Sequence, residues 1–191
     1  NYRPFNENAN SFNLDVADSD SVKKEFSQIL SKENVDILVF SVSAKIDNKP
    51  LLDLSWDDYS KHLDVQVKGL FNIIEALKEH IQLKKKMKFV IILTEYCTGK
   101  PPASLSHYVT AKYGLMGMAK SMAAELVKYN CTVNMVSPGM TDTNLISNLP
   151  KKLIEMTAAN NPLKRIATPE DVANVVSFLA SDQAGYINGE N

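Results

Sequence analysis

The sequence predicts an α/β protein built on an open, mostly parallel sheet with helices on both faces. Three observations carry that prediction. Continuous apolar runs of strand length alternate with stripes of helical period. The stretches between the runs are long enough to hold a crossover helix, as parallel pairing requires. The runs are apolar on both of their faces, as strands covered from two sides are. Length and composition agree: 191 residues, 45% hydrophobic and 23% charged, suit one globular domain whose core needs neither disulfide nor metal.

The elements follow in chain order. After an Asn-rich opening, Ser11-Phe12-Asn13-Leu14 is expected as a short strand ending at Asp15-Val16. Residues 18–20 offer N-caps for a helix with Val22, Phe26, Ile29 and Leu30 on one face. Val35-Asp36-Ile37-Leu38-Val39-Phe40 reads as a buried parallel strand. Ser55-Trp56-Asp57-Asp58 reads as a capping box opening a long helix, striped by Trp56, Tyr59, Leu63, Val67, Leu70, Phe71, Ile74 and Leu77. That helix ends in Lys84-Lys85-Lys86, a solvated terminus favoured by the macrodipole. A second buried strand spans residues 89–93, followed by a loop that Gly99, Pro101 and Pro102 keep from being helical. A helix over about 105–129, a strand over 132–136, a break at Pro138-Gly139 and a short helix near 151–158 come next. Thr168-Pro169-Glu170-Asp171 then supplies cap, proline and first-turn acids for a helix to about residue 180.

Charge and cysteine usage narrow the function. With 21 basic against 22 acidic side chains, the chain lacks the positive footprint of a nucleic-acid binder and any pull toward an anionic membrane. No apolar run approaches the roughly 20 residues of a membrane helix, and the first five residues resemble no signal or transit peptide. Cys97 and Cys131 make no disulfide framework and no metal cluster, so a reducing, cytoplasmic setting and no metal are expected.

In such a sheet the ligand sits beyond the carboxyl ends of the strands, so chemistry is sought at 41–44, 94–100 and 137–143. Beside that edge, Tyr108 and Lys112 stand at i and i+4 on one helical face. An ammonium there can lower the phenol's pKa, letting it exchange a proton with a substrate oxygen. The spacing recurs at Tyr96 and Lys100, where Gly99 and two prolines argue against a helix. His62 and His80 are expected to be exposed or simply packed, and His107 stands next to Tyr108 at the mouth of the cleft. Leu115, Met116, Met118 and Met122 suit either core or an apolar pairing face.

The order and spacing of several segments resemble the short-chain dehydrogenase/reductase family, of the type that includes 3-oxoacyl-acyl-carrier-protein reductases. They are Asp15-Val16, the run at 35–39, Tyr108 with Lys112, the stretch 133–143 with its Ser137-Pro138-Gly139, Pro162-Leu163-Lys164-Arg165, Pro169-Glu170-Asp171-Val172-Ala173 and Phe178-Leu179-Ala180-Ser181. The resemblance implies a Rossmann-like fold and hydride transfer between NAD or NADP and a small carbonyl or alcohol. It implies Tyr108 as general acid/base and Lys112 as its tuner and a holder of the nicotinamide ribose. Asp15 and Val16 would meet the adenine, with Ser41 and Val42 after the next strand. Pro138, Gly139, Thr141 and Thr143 would close over the nicotinamide, and a dimer or tetramer would form through helices 56–80 and 107–128.

Departures qualify that implication. Phe40-Ser41-Val42-Ser43 stands where the family has Asn-Asn-Ala-Gly, and Gln66 stands at its relay asparagine. Counting back from Tyr108 to the family's serine reaches Glu95, a carboxylate that cannot donate to an oxyanion; a loop shift would put Thr94 or Thr98 in that role. No glycine precedes Gly69, so the glycine-rich turn that receives the pyrophosphate has no counterpart here. The expectation is a single domain over 1–191, N-terminally truncated, lacking the first two strands and the last. It would leave residues 35–40 as an exposed edge and bind dinucleotide weakly. Two alternatives stand beside the enzyme: a degenerate member that binds a nucleotide or partner without turnover, and the distal part of a multifunctional protein.

Overall fold

The structure is a computed structural model that describes residues 10–84, 86–147 and 149–191. Three parallel strands, β1 (Ile37–Phe40), β2 (Lys88–Ile92) and β3 (Thr132–Val136), pair in the order β1-β2-β3. Val39 pairs with Val90 and Val90 with Asn134. The alternation of side chains sorts the central strand cleanly: Phe89 and Ile91 join the large core on one face, while Val90 and Ile92 belong to a small cluster on the other.

Among the described residues β1 pairs only with β2, and Ile37 and Val39, on the sheet face of Val90, are 46% and 44% exposed. The expected edge is therefore present, although the strand is shorter than the run at 35–40. The expected strand at 11–14 is absent: these residues take no regular structure. A strand needs a neighbouring backbone, and this segment crosses the helical layer instead. It packs Leu14 and Val16 on the large core, and the Val16 carbonyl accepts a 2.8 Å hydrogen bond from Asn72 Nδ2.

On the large-core face lie α1 (Ser19–Leu30), α2 (Trp56–Leu63), α3 (Gly69–Ala76), α4 (Lys78–Lys84) and α5 (Ser106–Leu126). Asp18 caps α1 by accepting from the Asp20 and Ser21 amides, and Ser55 with Asp58 forms the expected capping box of α2. The long helix expected from Trp56 is interrupted by a π-helical turn, Asp64–Lys68. Trp56, the first residue of α2, and Phe71, beyond the turn, are 72% and 56% exposed rather than buried. Lys85, in the basic end of that helix, lies outside the described residues. Helix α5 stops at a 3₁₀ turn closed by Asn130 in the left-handed region (φ 60°). Leu115 and Met122 of α5 are core residues.

Helix α6 (Lys151–Asn160) follows, and α7 (Pro169–Ala180) packs on the opposite sheet face against β2 and β3. Thr168 caps α7 in a second capping box with Asp171. Residues 188–190 run along β3, where the Gly189 amide donates to Val133 O and the Met135 amide to Glu190 O, each at 2.8 Å. Among the described residues no helix is long and apolar enough to cross a membrane.

Candidate active site

At the carboxyl ends of the strands lies a cavity of about 490 Å³, a volume suited to a small ligand. Its floor is Val39, Ile92 and Leu93; one wall is Thr94, Glu95 and Tyr108; Pro138, Gly139, Thr141 and Thr143 form a lip, and Val172 and Val176 of α7 form the roof. The lip is braced by a parallel bridge between Thr141 and Ala167, with the Asp142 amide donating to Ala167 O at 2.9 Å.

Tyr108 sits in the first turns of α5, packed with Leu105 and Val109. Burial pushes its phenol up to about 12, against a hydrogen bond from Thr94 that pulls it down. Lys112, one turn on, donates from Nζ to the Ile92 carbonyl at 2.8 Å and lies 5.9 Å from the Tyr108 ring centroid. Burial lowers this ammonium to about 8. The expectation that Lys112 would lower the Tyr108 pKa is thus corrected. Desolvation of the phenol is the largest effect on it, and the lysine is itself desolvated and turned toward β2. Lys112 does not line the cavity; it lies behind Tyr108.

Gln66 lies in the π turn, fully buried. Its Nε2 donates to His62 Nδ1 at 3.3 Å, and its Oε1 has no partner among the described residues. His62 and His107 meet edge to face with ring centroids 4.9 Å apart, and His62 stands 5.9 Å from the Tyr108 ring. Both histidines are buried, and burial depresses both, His62 to about 4. His107 therefore faces α2 and does not line the cleft. Its expected position at the mouth is corrected because the first turn of α5 directs residue 107 to the helical layer and residue 108 to the cavity. This histidine pair escaped sequence reasoning, since no spacing relates residues so far apart.

The expected cofactor residues divide in the same way. Ser41, Pro138, Gly139, Thr141 and Thr143 line the cavity. Val42 does not: its side chain packs on the large core. Asp15 and Val16 lie apart from it, where Asp15 Oδ1 accepts from the Ala17 amide at 2.9 Å. Val16 fits against Gly69, where an added Cβ would lie 2.7 Å from Val16 Cγ2. Thr98 donates its hydroxyl to Glu95 O at 2.9 Å and is not a lining residue, so Thr94 is the hydroxyl beside Tyr108. Val172 and Val176 were read only as part of a helix, and their stripe on α7 was the available signal.

The hydroxyls of Ser41, Thr141, Thr143 and Tyr108 are a polar set that fits the riboside and carboxamide end of a nicotinamide, with Thr141 and Thr143, whose protons go to Gly139 O and Thr141 O, as acceptors. The phosphate end finds no match among the described residues, since no lysine or arginine lines the cavity and no glycine precedes Gly69.

Residues 3–191 match the family described as Enoyl-(Acyl carrier protein) reductase. The chain is 32% identical over 176 residues to the 3-oxoacyl-[acyl-carrier-protein] reductase MabA of Mycobacterium tuberculosis, an alignment covering 92% of this chain and 70% of that protein. It is 33% identical over 178 residues to the corresponding FabG of Staphylococcus epidermidis, covering 92% and 71%. Among solved structures it resembles the gluconate 5-dehydrogenase of Burkholderia cenocepacia in complex with NADP and tartrate. That match has a TM-score of 0.86 and 22% identity over 93% of this chain and 70% of that one. It resembles levodione reductase with the same TM-score and identity over 93% and 72%. At that identity the structural likeness speaks for the Rossmann-like fold alone. On the family match and the curated relatives together, the chain belongs to the short-chain dehydrogenase/reductase family of NAD(P)-dependent oxidoreductases.

Proposed function

We propose that residues 1–191 belong to one short-chain dehydrogenase/reductase domain that reduces a small carbonyl compound with NADH or NADPH, Tyr108 supplying the proton. The observation that carries this reading is the cavity wall on which the Tyr108 phenol and the Thr94 hydroxyl stand together at the end of β2. The nicotinamide supplies hydride when bound. Tyr108, kept protonated by its burial, donates its proton to the substrate oxygen. Thr94, on the same cavity wall, supplies the hydroxyl that lowers the phenol's pKa and steadies the phenolate left behind. Lys112 stands behind the ring with its ammonium on the Ile92 carbonyl, tying the Tyr108 turn of α5 to β2. A phenol raised to about 12 rests in its protonated form at neutral pH, the form that proton donation to a carbonyl oxygen requires.

Replacing Tyr108 with Phe in the full protein should lower kcat for carbonyl reduction by about 10²- to 10⁴-fold, followed through oxidation of the reduced nicotinamide. Unchanged turnover would remove Tyr108 from the mechanism. A second reading, a family member that binds without turnover, is favoured by the Lys112 ammonium being turned to the Ile92 carbonyl. Calorimetric binding of NADH or NADPH with no reduction of any carbonyl would select it.

A further inference from the structure

Glu95 is the one acidic or basic side chain among the described residues that line the cavity. Its backbone is fixed: the amide donates to Pro138 O at 2.9 Å, and the carbonyl accepts from the Thr98 and Gly99 amides, each at 3.0 Å. Its carboxylate lies over the bare Cα of Gly139. A Cβ there would stand 3.1 Å from Oε2 and 3.6 Å from Oε1, so the carboxylate occupies the space a side chain at 139 would fill. Among the described residues no cation pairs with it and no group donates a hydrogen bond to it. The rest of the lining is largely apolar.

Glu95 is exposed at the cavity, and a ligand seated against its carboxylate displaces part of the water there. A neutral ligand leaves that charge uncompensated, and an anionic one adds repulsion. A ligand carrying an ammonium returns the lost hydrogen bond and neutralises the charge. Discrimination of this kind grows with the share of the carboxylate's water that the ligand displaces.

We propose that Glu95 selects substrates bearing a protonated primary or secondary amine, so that the compound reduced is an amino ketone or amino aldehyde. The proposal rests on the oxidoreductase reading above. Glu95 is a specificity residue in it, and the proton still comes from Tyr108.

The test compares the full protein and its Glu95→Gln variant on near-isosteric pairs, meta- and para-(aminomethyl)acetophenone against meta- and para-ethylacetophenone. With the native protein, kcat/KM should favour the amine by about tenfold or more for at least one ring position, and Glu95→Gln should bring that ratio near unity. Parity in the native protein, preference for the ethyl compounds, or a ratio that survives Glu95→Gln would overturn the proposal. Direct binding of para-(aminomethyl)acetophenone to both proteins, followed by calorimetry, separates the two readings. If no ketone is turned over but binding weakens about tenfold in the variant, the amine site stands and the oxidoreductase reading falls. If binding is equal in both proteins or undetectable, the amine site falls.

Discussion

Gly69 shows how a single missing side chain sets a long-range contact. It opens α3 directly after the π turn, and Val16 Cγ2 occupies the space where its Cβ would project, at 2.7 Å. Alanine there gains helix propensity of about 1 kcal/mol but must displace a β-branched side chain that has little rotamer freedom. Overpacking of this kind costs about 1–3 kcal/mol. Gly69→Ala should therefore be net destabilising in denaturant titration, and Val16→Ala in the same chain should recover part of the loss. A Gly69→Ala protein as stable as the native one would show that the 15–16 loop yields freely. At this level the sequence was informative where residue type alone decides, as for the hydroxyls of Thr141 and Thr143. It was silent on direction. Lys112 was correctly placed on the face of Tyr108, yet nothing in a four-residue spacing reveals that its ammonium turns toward Ile92 O. Val42, likewise, reads as the neighbour of Ser41 and turns to the opposite side.

The three strands and the two capping boxes were legible because each has a local physical signature, an apolar run or a Ser/Thr followed by an acid at the third position. The π turn has none, and Trp56 and Phe71, expected in the core stripe, lie at the surface. The exposed side of β1 is the element with the clearest experimental consequence. Its outer backbone groups face no strand among the described residues, and Ile37 stands half exposed beside them. Such an edge templates pairing with another chain. The 191-residue chain should accordingly self-associate with rising concentration in sedimentation velocity, and Ile37→Lys should reduce that association, since an edge lysine opposes docking of a second strand. Self-association undiminished by Ile37→Lys would place the contact elsewhere.

For the molecule as a whole, the buried Lys112 ties stability to pH. An unfolded chain keeps this proton up to the ordinary lysine value of 10.5, whereas the fold releases it at about 8. Between those values the unfolded state binds more protons, so the Lys112 contribution to stability rises with pH. It is complete above 10.5 and lost as pH falls through about 8. The buried thiols of Cys97 and Cys131 are raised from 9.0 and act in the opposite direction, so the difference between two proteins isolates the lysine. From pH 8 to 10 the native chain should gain stability relative to Lys112→Met by up to about 1.4 kcal/mol per pH unit, measured by denaturant titration. A constant difference would mean that the Lys112 ammonium is hydrated in the fold. The division of the interior has a different consequence. Tyr108 packs in one small cluster with Leu105 and Val109, while the α7 roof is anchored by Leu179 in another with Val90 and Ala184, and the two share no residue. Changes in packing at sites without shared neighbours are close to additive. The roof can therefore drift by mutation to admit new molecular shapes while the proton donor keeps its setting, which makes substrate range and proton chemistry separately heritable traits of this fold.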